Sequence, residues 1–257
     1  ALLGTMGRDP IDLTHIQTMK DVPTGIASIT VDRQGHNRIT VVPGANGTFT
    51  KEDIESLRPL IARSNVLLLQ LEIPLEAVET AIRIAYEEGV FCVLNPAPAM
   101  ILPNSFYQYV DLMTPNESEL SLLSGRPTAD RAQWLEAGQA LVASGLATLI
   151  VTLGQHGSLA MNNKGSAHFP AYRVRMLDST AAGDSFNGAL ASQIDRMIGQ
   201  RGDSTVRFSP SIDDLAPAID YATKAAAMSV TRSGAQPSIP LSEEIERFDA
   251  WFASHRL

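Results

Sequence analysis

Apolar positions along this chain follow two rhythms. Between 24 and 42 they form two β-rich runs, Thr24-Gly25-Ile26-Ala27-Ser28-Ile29-Thr30-Val31 and Asn37-Arg38-Ile39-Thr40-Val41-Val42, split by Asp32-Arg33-Gln34-Gly35. Such runs across a short Gly-containing loop predict a hairpin. After the loop Pro43-Gly44-Ala45-Asn46-Gly47, Thr50 is placed to cap a helix carrying Ile54, Leu57, Leu60 and Ile61. From Val66 the pattern changes. Apolar runs at 66–71, 91–94, 111–113 and 146–152 predict buried strands, and helical spacing predicts helices over 75–88, 116–123 and 130–144. Strands alternating with amphipathic helices mean βαβ units and a parallel sheet covered on both faces. Two more runs, 157–161 and 171–176, read as antiparallel strands at the sheet edge. Helices are expected over 184–198, 213–231 and 243–254, and the polar stretch 200–211 reads as a surface insertion. The fold class is therefore α/β, a doubly wound, mostly parallel sheet with helices on both faces, plus a small β-hairpin lid. One domain over 1–257 is expected, with 22–46 supplying the lid strands.

Composition narrows the function. The chain has 257 residues, enough for a sizeable core, with 44% hydrophobic and 19% charged residues. Its formal net charge of −8 and the lack of any Lys/Arg run argue against a nucleic-acid surface. No stretch of about 18 apolar residues predicts a membrane helix. The single Cys92 sits in the strand-like Val90-Phe91-Cys92-Val93-Leu94. It cannot form an internal disulfide and reads as a buried structural thiol, which fits a reducing, cytoplasmic setting.

Chemistry concentrates in Leu177-Asp178-Ser179-Thr180-Ala181-Ala182-Gly183-Asp184-Ser185-Phe186. Small residues from Ser179 to Gly183 allow a tight turn, and Phe186, Leu190 and Ile194 mark a helix behind it. Ser179, Thr180 or Asp184 can cap that helix, and its free N–H groups and positive pole suit a phosphate or developing oxyanion. Asp184 has two readings: a helix cap, or a base that takes a proton from a hydroxyl while the N–H groups hold the anion. Ligands of doubly wound sheets bind beyond the carboxyl ends of the strands. Glu72, Asn95, Asn116, Thr152-Leu153-Gly154 and the 178–184 stretch all follow predicted strands. Five polar or Gly-rich strand ends on one rim favour the second reading. No Walker A sequence occurs, so any phosphate cradle must be the 181–184 turn.

Three motifs carry a resemblance. Ser179-Thr180-Ala181-Ala182-Gly183-Asp184-Ser185-Phe186, Asn116-Glu117-Ser118-Glu119 and Thr152-Leu153-Gly154-Gln155-His156-Gly157 are similar, in order, to the signature turn, the Asn-x-x-Glu motif and the nucleotide loop of the ribokinase-like (PfkB) carbohydrate kinases. Gly44-Ala45-Asn46, Leu94-Asn95-Pro96-Ala97-Pro98-Ala99 and Arg232-Ser233-Gly234-Ala235-Gln236-Pro237-Ser238 resemble its ribose-phosphorylating branch. The similarity runs over nearly all of 20–257. It implies ATP-dependent phosphorylation of a pentose, D-ribose at its 5-hydroxyl, with a related sugar or nucleoside kinase and an inactive nucleotide-binding remnant as alternatives.

The resemblance also implies roles. Asp184 would be the base, and Ala181, Ala182 and Gly183 the anion hole. Asn46, Glu72, Ala27, Ile29 and Asp184 would contact the sugar. Asn116, Thr152, Leu153, Gly154, Gln155, His156, Gly157, Gly183 and Asp184 would line the nucleotide, with His156 lending backbone. For Glu72 a cap of the helix at 75 remains open, and for Glu119 a solvated helix position. Mg²⁺ would accompany ATP with Glu119 acting through water. A monovalent activator, K⁺, would be held at Asp178, Thr180, Ser229, Arg232 (through its carbonyl), Gly234 and Ser238. A homodimer through lid strands is the family's expected assembly. The family's opening strand, with its substrate Asp and Gly-Gly-Lys-Gly-x-Asn loop, has no counterpart here. Gly4-Thr5-Met6-Gly7-Arg8-Asp9-Pro10 resembles the strand end that follows it, so the chain is expected to begin inside a strand, as a fragment.

Overall fold

The computed structural model describes residues 2–31, 37–202 and 206–257. The chain divides into two units, Ala1–Phe49 and Thr50–Leu257. The first holds a short helix α1 (Leu2–Met6) and a hairpin of β1 (Ile26–Val31) and β2 (Asn37–Val42). The hairpin pairs antiparallel from Ile26 opposite Val42 to Val31 opposite Asn37. Its expected turn, Asp32-Arg33-Gln34-Gly35, lies outside the described residues. The expected opening strand is corrected to a helix, closed where the Gly7 N–H donates to the Leu3 carbonyl at 2.9 Å. Among the described residues the sheet of this unit holds β1 and β2 alone, so local bonds rather than a ladder satisfy the backbone of α1.

The second unit begins with α2 (Lys51–Ser56) and α3 (Arg58–Ala62). Thr50 caps α2 as expected, but the helix predicted through Ile61 breaks at Leu57, with Pro59 opening the next one. Next come β3 (Val66–Leu69), α4 (Leu75–Glu87), β4 (Phe91–Leu94), β5 (Leu112–Met113), α5 (Glu117–Ser124) and α6 (Arg131–Ala143). The chain continues through β6 (Thr148–Thr152), β7 (Ser158–Asn162) and β8 (Gly165–Phe169). It ends with α7 (Ala182–Gly199), α8 (Ile212–Ser229), α9 (Ser242–Glu246) and α10 (Phe248–His255). The six strands form one sheet in chain order. β3 to β6 run parallel, and β7 and β8 are antiparallel to their neighbours.

Both faces of the sheet are covered. Val93, Leu112, Ile150 and Ala160 pack with Phe186, Leu190 and Ile194 of α7 and Leu215 and Ile219 of α8. Each such aliphatic burial contributes about 2 kcal/mol. On the opposite face α6 lies so close that a Cβ on Gly138 would stand 3.1 Å from Leu149 and 2.5 Å from the Met161 sulfur. Cys92 is fully buried there as a packing residue, its thiol pushed well above the ordinary range by burial.

Three expectations at the edges need correction. The outer strand is β8, not 171–176. Asn162 Oδ1 accepts from the Lys164 and Gly165 N–H groups at 2.8 and 3.2 Å, which folds β7 back into β8. The 171–176 run makes one bridge, Val174 to Arg256, and its Tyr172 and Val174 pack on α8 and α10 with Phe248 and Met228. The helix expected over 243–254 is broken at Arg247. Of the presumed insertion 200–211, residues 203–205 lie outside the described set. The remainder is anchored: Arg207 clasps Asp111 at 3.1 and 2.7 Å and donates to the Tyr86 carbonyl at 3.1 Å. Among the described residues no helix is long and apolar enough to cross a membrane.

Candidate active site

The parallel strands end on one rim, and the loops beyond them are tied together. Asn95 N–H donates to the Leu69 carbonyl and Leu71 N–H to the Ala97 carbonyl, each at 2.8 Å. Thr152 N–H donates to the Pro115 carbonyl at 2.9 Å, and Asn116 and Thr152 form a parallel bridge. The Asn-x-x-Glu motif and the Gly-rich loop are therefore neighbours, as their assignment to one nucleotide requires. Glu72 lies exposed beyond β3. It does not cap α4, whose N-cap is Pro74 and has no side-chain bond.

Asn116 and Glu119 start α5 as a capping box. Asn116 Oδ1 accepts from the Glu119 N–H at 2.9 Å, and Glu119 Oε2 accepts from the Asn116 N–H at 2.8 Å. Glu119 is only 8% exposed, so it is not the solvated helix residue its sequence allowed. Burial pushes its carboxyl above the ordinary range, opposed by the Asn116 bond. One carboxylate oxygen is committed to the cap; the other is a hard donor suited to a Mg²⁺-bound water. Among the described residues no group of three or more His, Cys, Asp or Glu could hold a metal ion. A magnesium ion here would rest largely on phosphate and water oxygens.

The 152–157 loop turns through a 3₁₀ segment, Gly154–His156. Gly157, at φ 88°, packs so tightly that a Cβ would overlap the Phe169 carbonyl, which makes it a structural glycine. His156 uses its carbonyl as acceptor for the His168 ring at 2.7 Å, and its own ring lies 5.7 Å from Trp134.

Among the described residues the 178–184 turn has no ladder partner; it is held from α8 and the loop after it. The Val230 carbonyl accepts from the Leu177 and Asp178 N–H groups at 2.7 and 3.2 Å. The Asp178 carboxylate bridges the Gly234 and Thr180 N–H groups, each at 2.9 Å. Those bonds, Gly234 first, hold its carboxyl down to about 2. Ala181 then takes a left-handed conformation, φ 61°, and α7 begins without any side-chain cap. Asp184 is the third residue of α7, exposed and uncapped. The cap reading of Asp184 is thus corrected. Ala182 N–H closes onto the Ser179 carbonyl at 3.2 Å, and Ser185 N–H onto the Ala181 carbonyl at 2.9 Å. Of the expected anion hole Ala181, Ala182 and Gly183, the Ala182 N–H is thus engaged, while among the described residues the N–H groups of Ala181, Gly183 and Asp184 have no backbone acceptor.

The candidate K⁺ residues are partly assembled. Asp178, Thr180 and Gly234 meet directly, and Arg232 N–H donates to the Ser229 carbonyl at 3.0 Å on the turn whose Val230 holds the strap. Arg232 turns its guanidinium away to Glu244 at 2.6 Å, leaving only its carbonyl for a cation. Ser238 is buried, with its hydroxyl on the Ala235 carbonyl, and among the described residues no hydrogen bond joins it to Asp178. Asn46 lies exposed on the 3₁₀ turn Gly44–Thr48 of the first unit, and Ala27 and Ile29 occupy alternate positions of β1. Val230 was not legible as part of the site, because it acts through its carbonyl alone. Thr114 and Asn187, joined at 2.6 Å, were missed too; their only signal was polarity at a strand end and beside an apolar helix stripe.

A family model described as "pfkB family carbohydrate kinase" matches residues 1–241. The chain is 38% identical over 237 residues to a ribokinase of Staphylococcus aureus (strain COL), covering 92% of this chain and 73% of that protein. It is 36% identical over 241 residues to a ribokinase of Haemophilus influenzae, covering 94% of this chain and 74% of the relative. The structure of an Arabidopsis thaliana ribokinase complexed with ribose and ATP superposes with a TM-score of 0.74 at 27% identity, covering 89% of this chain and 70% of that one.

Proposed function

This chain belongs to the pfkB family of carbohydrate kinases, and on that premise we propose that it transfers the γ-phosphoryl group of ATP to the 5-hydroxyl of D-ribose. The observation that carries the reading is α7's start: an uncapped helix with two open N–H groups and an unengaged carboxylate, less than a turn before Asn187, whose side chain bonds Thr114 at the strand end next to Asn116. Asp184 accepts the proton of the sugar hydroxyl as its oxygen bonds to the γ-phosphorus. The bond from that phosphorus to the β,γ-bridging oxygen breaks, and ADP leaves. The Gly183 and Asp184 N–H groups and the positive end of α7 face the transferring oxygens, so the protein's work is positioning and charge stabilisation.

Residues 152–157 and Asn116 line the nucleotide, and Glu119 would orient water on the Mg²⁺ that accompanies it. Glu72, Asn46, Ala27 and Ile29 contact the sugar, with 22–46 as the lid. A K⁺ ion at Asp178, Thr180, Ser229, the Arg232 carbonyl, Gly234 and Ser238 would supply positive charge beside the turn that aims the open N–H groups. Ile26 and Val42, paired opposite each other on one face of the hairpin, are 63% and 58% exposed, which supports a homodimer through the lid. The lone buried Cys92 supports a cytoplasmic setting.

The test is ADP formation with ribose, fructose and adenosine in Mg²⁺ and K⁺ buffer. Ribose-dependent turnover, lowered when Na⁺ replaces K⁺, is the expected result. Turnover on fructose or adenosine but not ribose would move the activity to a related kinase. Nucleotide binding by calorimetry without turnover on any sugar would leave a nucleotide-binding remnant.

A further inference from the structure

The first turns of α7 are tied to the strand ends by a polar chain that crosses the buried layer between them. Thr114 and Asn187 are 1% and 2% exposed. The Thr114 hydroxyl donates to Asn187 Oδ1 at 2.6 Å, across 73 positions of sequence. On the other side the Thr114 carbonyl accepts from Asn95 Nδ2 at 3.0 Å. Asn95 follows β4, Thr114 follows β5, and Asn187 lies one helical turn after Gly183. The surroundings of Asn187 are apolar: Phe186 and Leu190 belong to the main core cluster. Placing three polar groups there is favourable only if each is hydrogen-bonded. A Val and a Leu would fill the same positions without that demand.

We propose that Thr114 and Asn187 are positioning residues for phosphoryl transfer, fixing the rotation and height of α7 against the rim so that the Gly183 and Asp184 N–H groups and the Asp184 carboxylate meet the reacting atoms. The need follows from the turn itself. The helix has no side-chain cap, its start passes through a left-handed alanine, and among the described residues the 178–184 segment pairs with no strand. Apolar packing of Phe186, Leu190 and Ile194 sets which face is buried but tolerates sliding and rotation. A directional hydrogen bond removes that freedom. Displacements of about 1 Å at a reacting centre can cost about a hundredfold in rate. This inference rests on the kinase reading for its catalytic part and on geometry alone for its structural part.

The experiment compares wild type with Thr114→Val, Thr114→Ser, Asn187→Leu and the Thr114→Val/Asn187→Leu pair. Two readouts are used: steady-state kinetics with ribose and ATP, and amide hydrogen exchange over 182–188. Thr114→Val keeps the volume and loses the hydroxyl, so kcat is expected to fall about tenfold with both KM values within about twofold. Exchange over 182–188 should accelerate while other core segments stay protected. Thr114→Ser keeps the donor and should restore both. Removing both partners should lower kcat no further than Thr114→Val alone, since the pair acts as a unit. Unchanged kcat and exchange in Thr114→Val would overturn the proposal, as would a loss in Thr114→Ser equal to that in Thr114→Val. If wild type turns over no sugar, the kinase reading fails, and the exchange comparison still decides whether the pair holds α7. A KM rise at constant kcat would make the pair part of a binding surface and refute the positioning role.

Discussion

Helices α5 and α7 begin at the same rim with a carboxylate at the same place, the third helical residue, and use it in opposite ways. In α5, Glu119 reaches back to the Asn116 N–H while Asn116 accepts from the Glu119 N–H. Thr50 with Asp53 and Ser211 with Asp214 close the same box at the starts of α2 and α8. Glu244 accepts from the Leu241 N–H at the start of α9. In α7, Asp184 bonds to nothing among the described residues and the N-cap is Ala181. The ingredients of a good cap are present in this sequence, and other helices use them. Where the local rule is left unused, the carboxylate and two N–H groups stay available to a ligand. The cost is visible in the backbone, with Ala181 in a region that favours glycine.

The largest break in this comparison comes from removing the two carboxylates in turn. Asp184→Asn is expected to lower kcat by about a thousandfold, the scale of a lost general base, with a melting temperature within about 2 °C of wild type because no internal bond is lost. Asp214→Asn, at the start of α8, should do the reverse: leave kcat unchanged and cost about 1 kcal/mol in stability. Kinetics of the two variants beside their denaturation curves check both. Retention of ribose turnover in Asp184→Asn would remove Asp184 as the base.

The second test separates a cap that serves only the fold from one that also touches nucleotide. Asn116→Ala and Ser211→Ala each lose an N-cap side chain and should each cost about 1 kcal/mol. Only Asn116→Ala should also raise the KM for ATP, by several-fold, because the Asn116–Thr152 bridge sets it beside the 152–157 loop proposed to line the nucleotide. Equal KM values in the two variants would reduce Asn116 to a cap.

These contrasts show what could be read from the chain and what could not. The four parallel strands and α4, α6, α7 and α8 were legible, because each buries an apolar run or a stripe of its own. β8 was not. Gly165-Ser166-Ala167-His168-Phe169 has no β-branched residue, and it is a strand only because the Asn162 turn brings it against β7. Conversely, Tyr172 and Val174 alternate like a strand, yet the alternation serves packing on Phe248. At the site, the identity of the motif residues was legible. Their hydrogen-bonding state was not, since Asp184 and Glu119 hold the same helical position and from sequence either could close onto the backbone before it. The left-handed Ala181 decides that, and alanine carries no signal for it.

That residue supplies the third test. A left-handed alanine costs about 1 kcal/mol relative to glycine, and no cap on α7 offsets it. Ala181→Gly is expected to raise the urea midpoint by an amount corresponding to about 1 kcal/mol. If glycine also loosens the turn when free, kcat falls slightly while stability rises, the usual trade at a strained site. A destabilised Ala181→Gly variant would mean that the methyl group contributes packing that outweighs the strain.

The smallest effect concerns what holds the turn from behind. Asp178 is the one carboxylate in the 178–184 turn that is fully engaged, on the Gly234 and Thr180 N–H groups. These bonds depress its carboxyl to about 2, below the roughly 3.9 of an unfolded chain. A depressed carboxyl stabilises the fold above its unfolded value, and that contribution is lost as the pH falls from about 4 towards 2. Wild type should therefore lose melting temperature more steeply across that window than Asp178→Asn, whose amide does not titrate. The difference should be small, because the carboxylate is partly open to water, where hydrogen bonds and charge are screened. Parallel curves for the two proteins would mean that the Val230 carbonyl alone carries the strap, and that Asp178 is free for a cation.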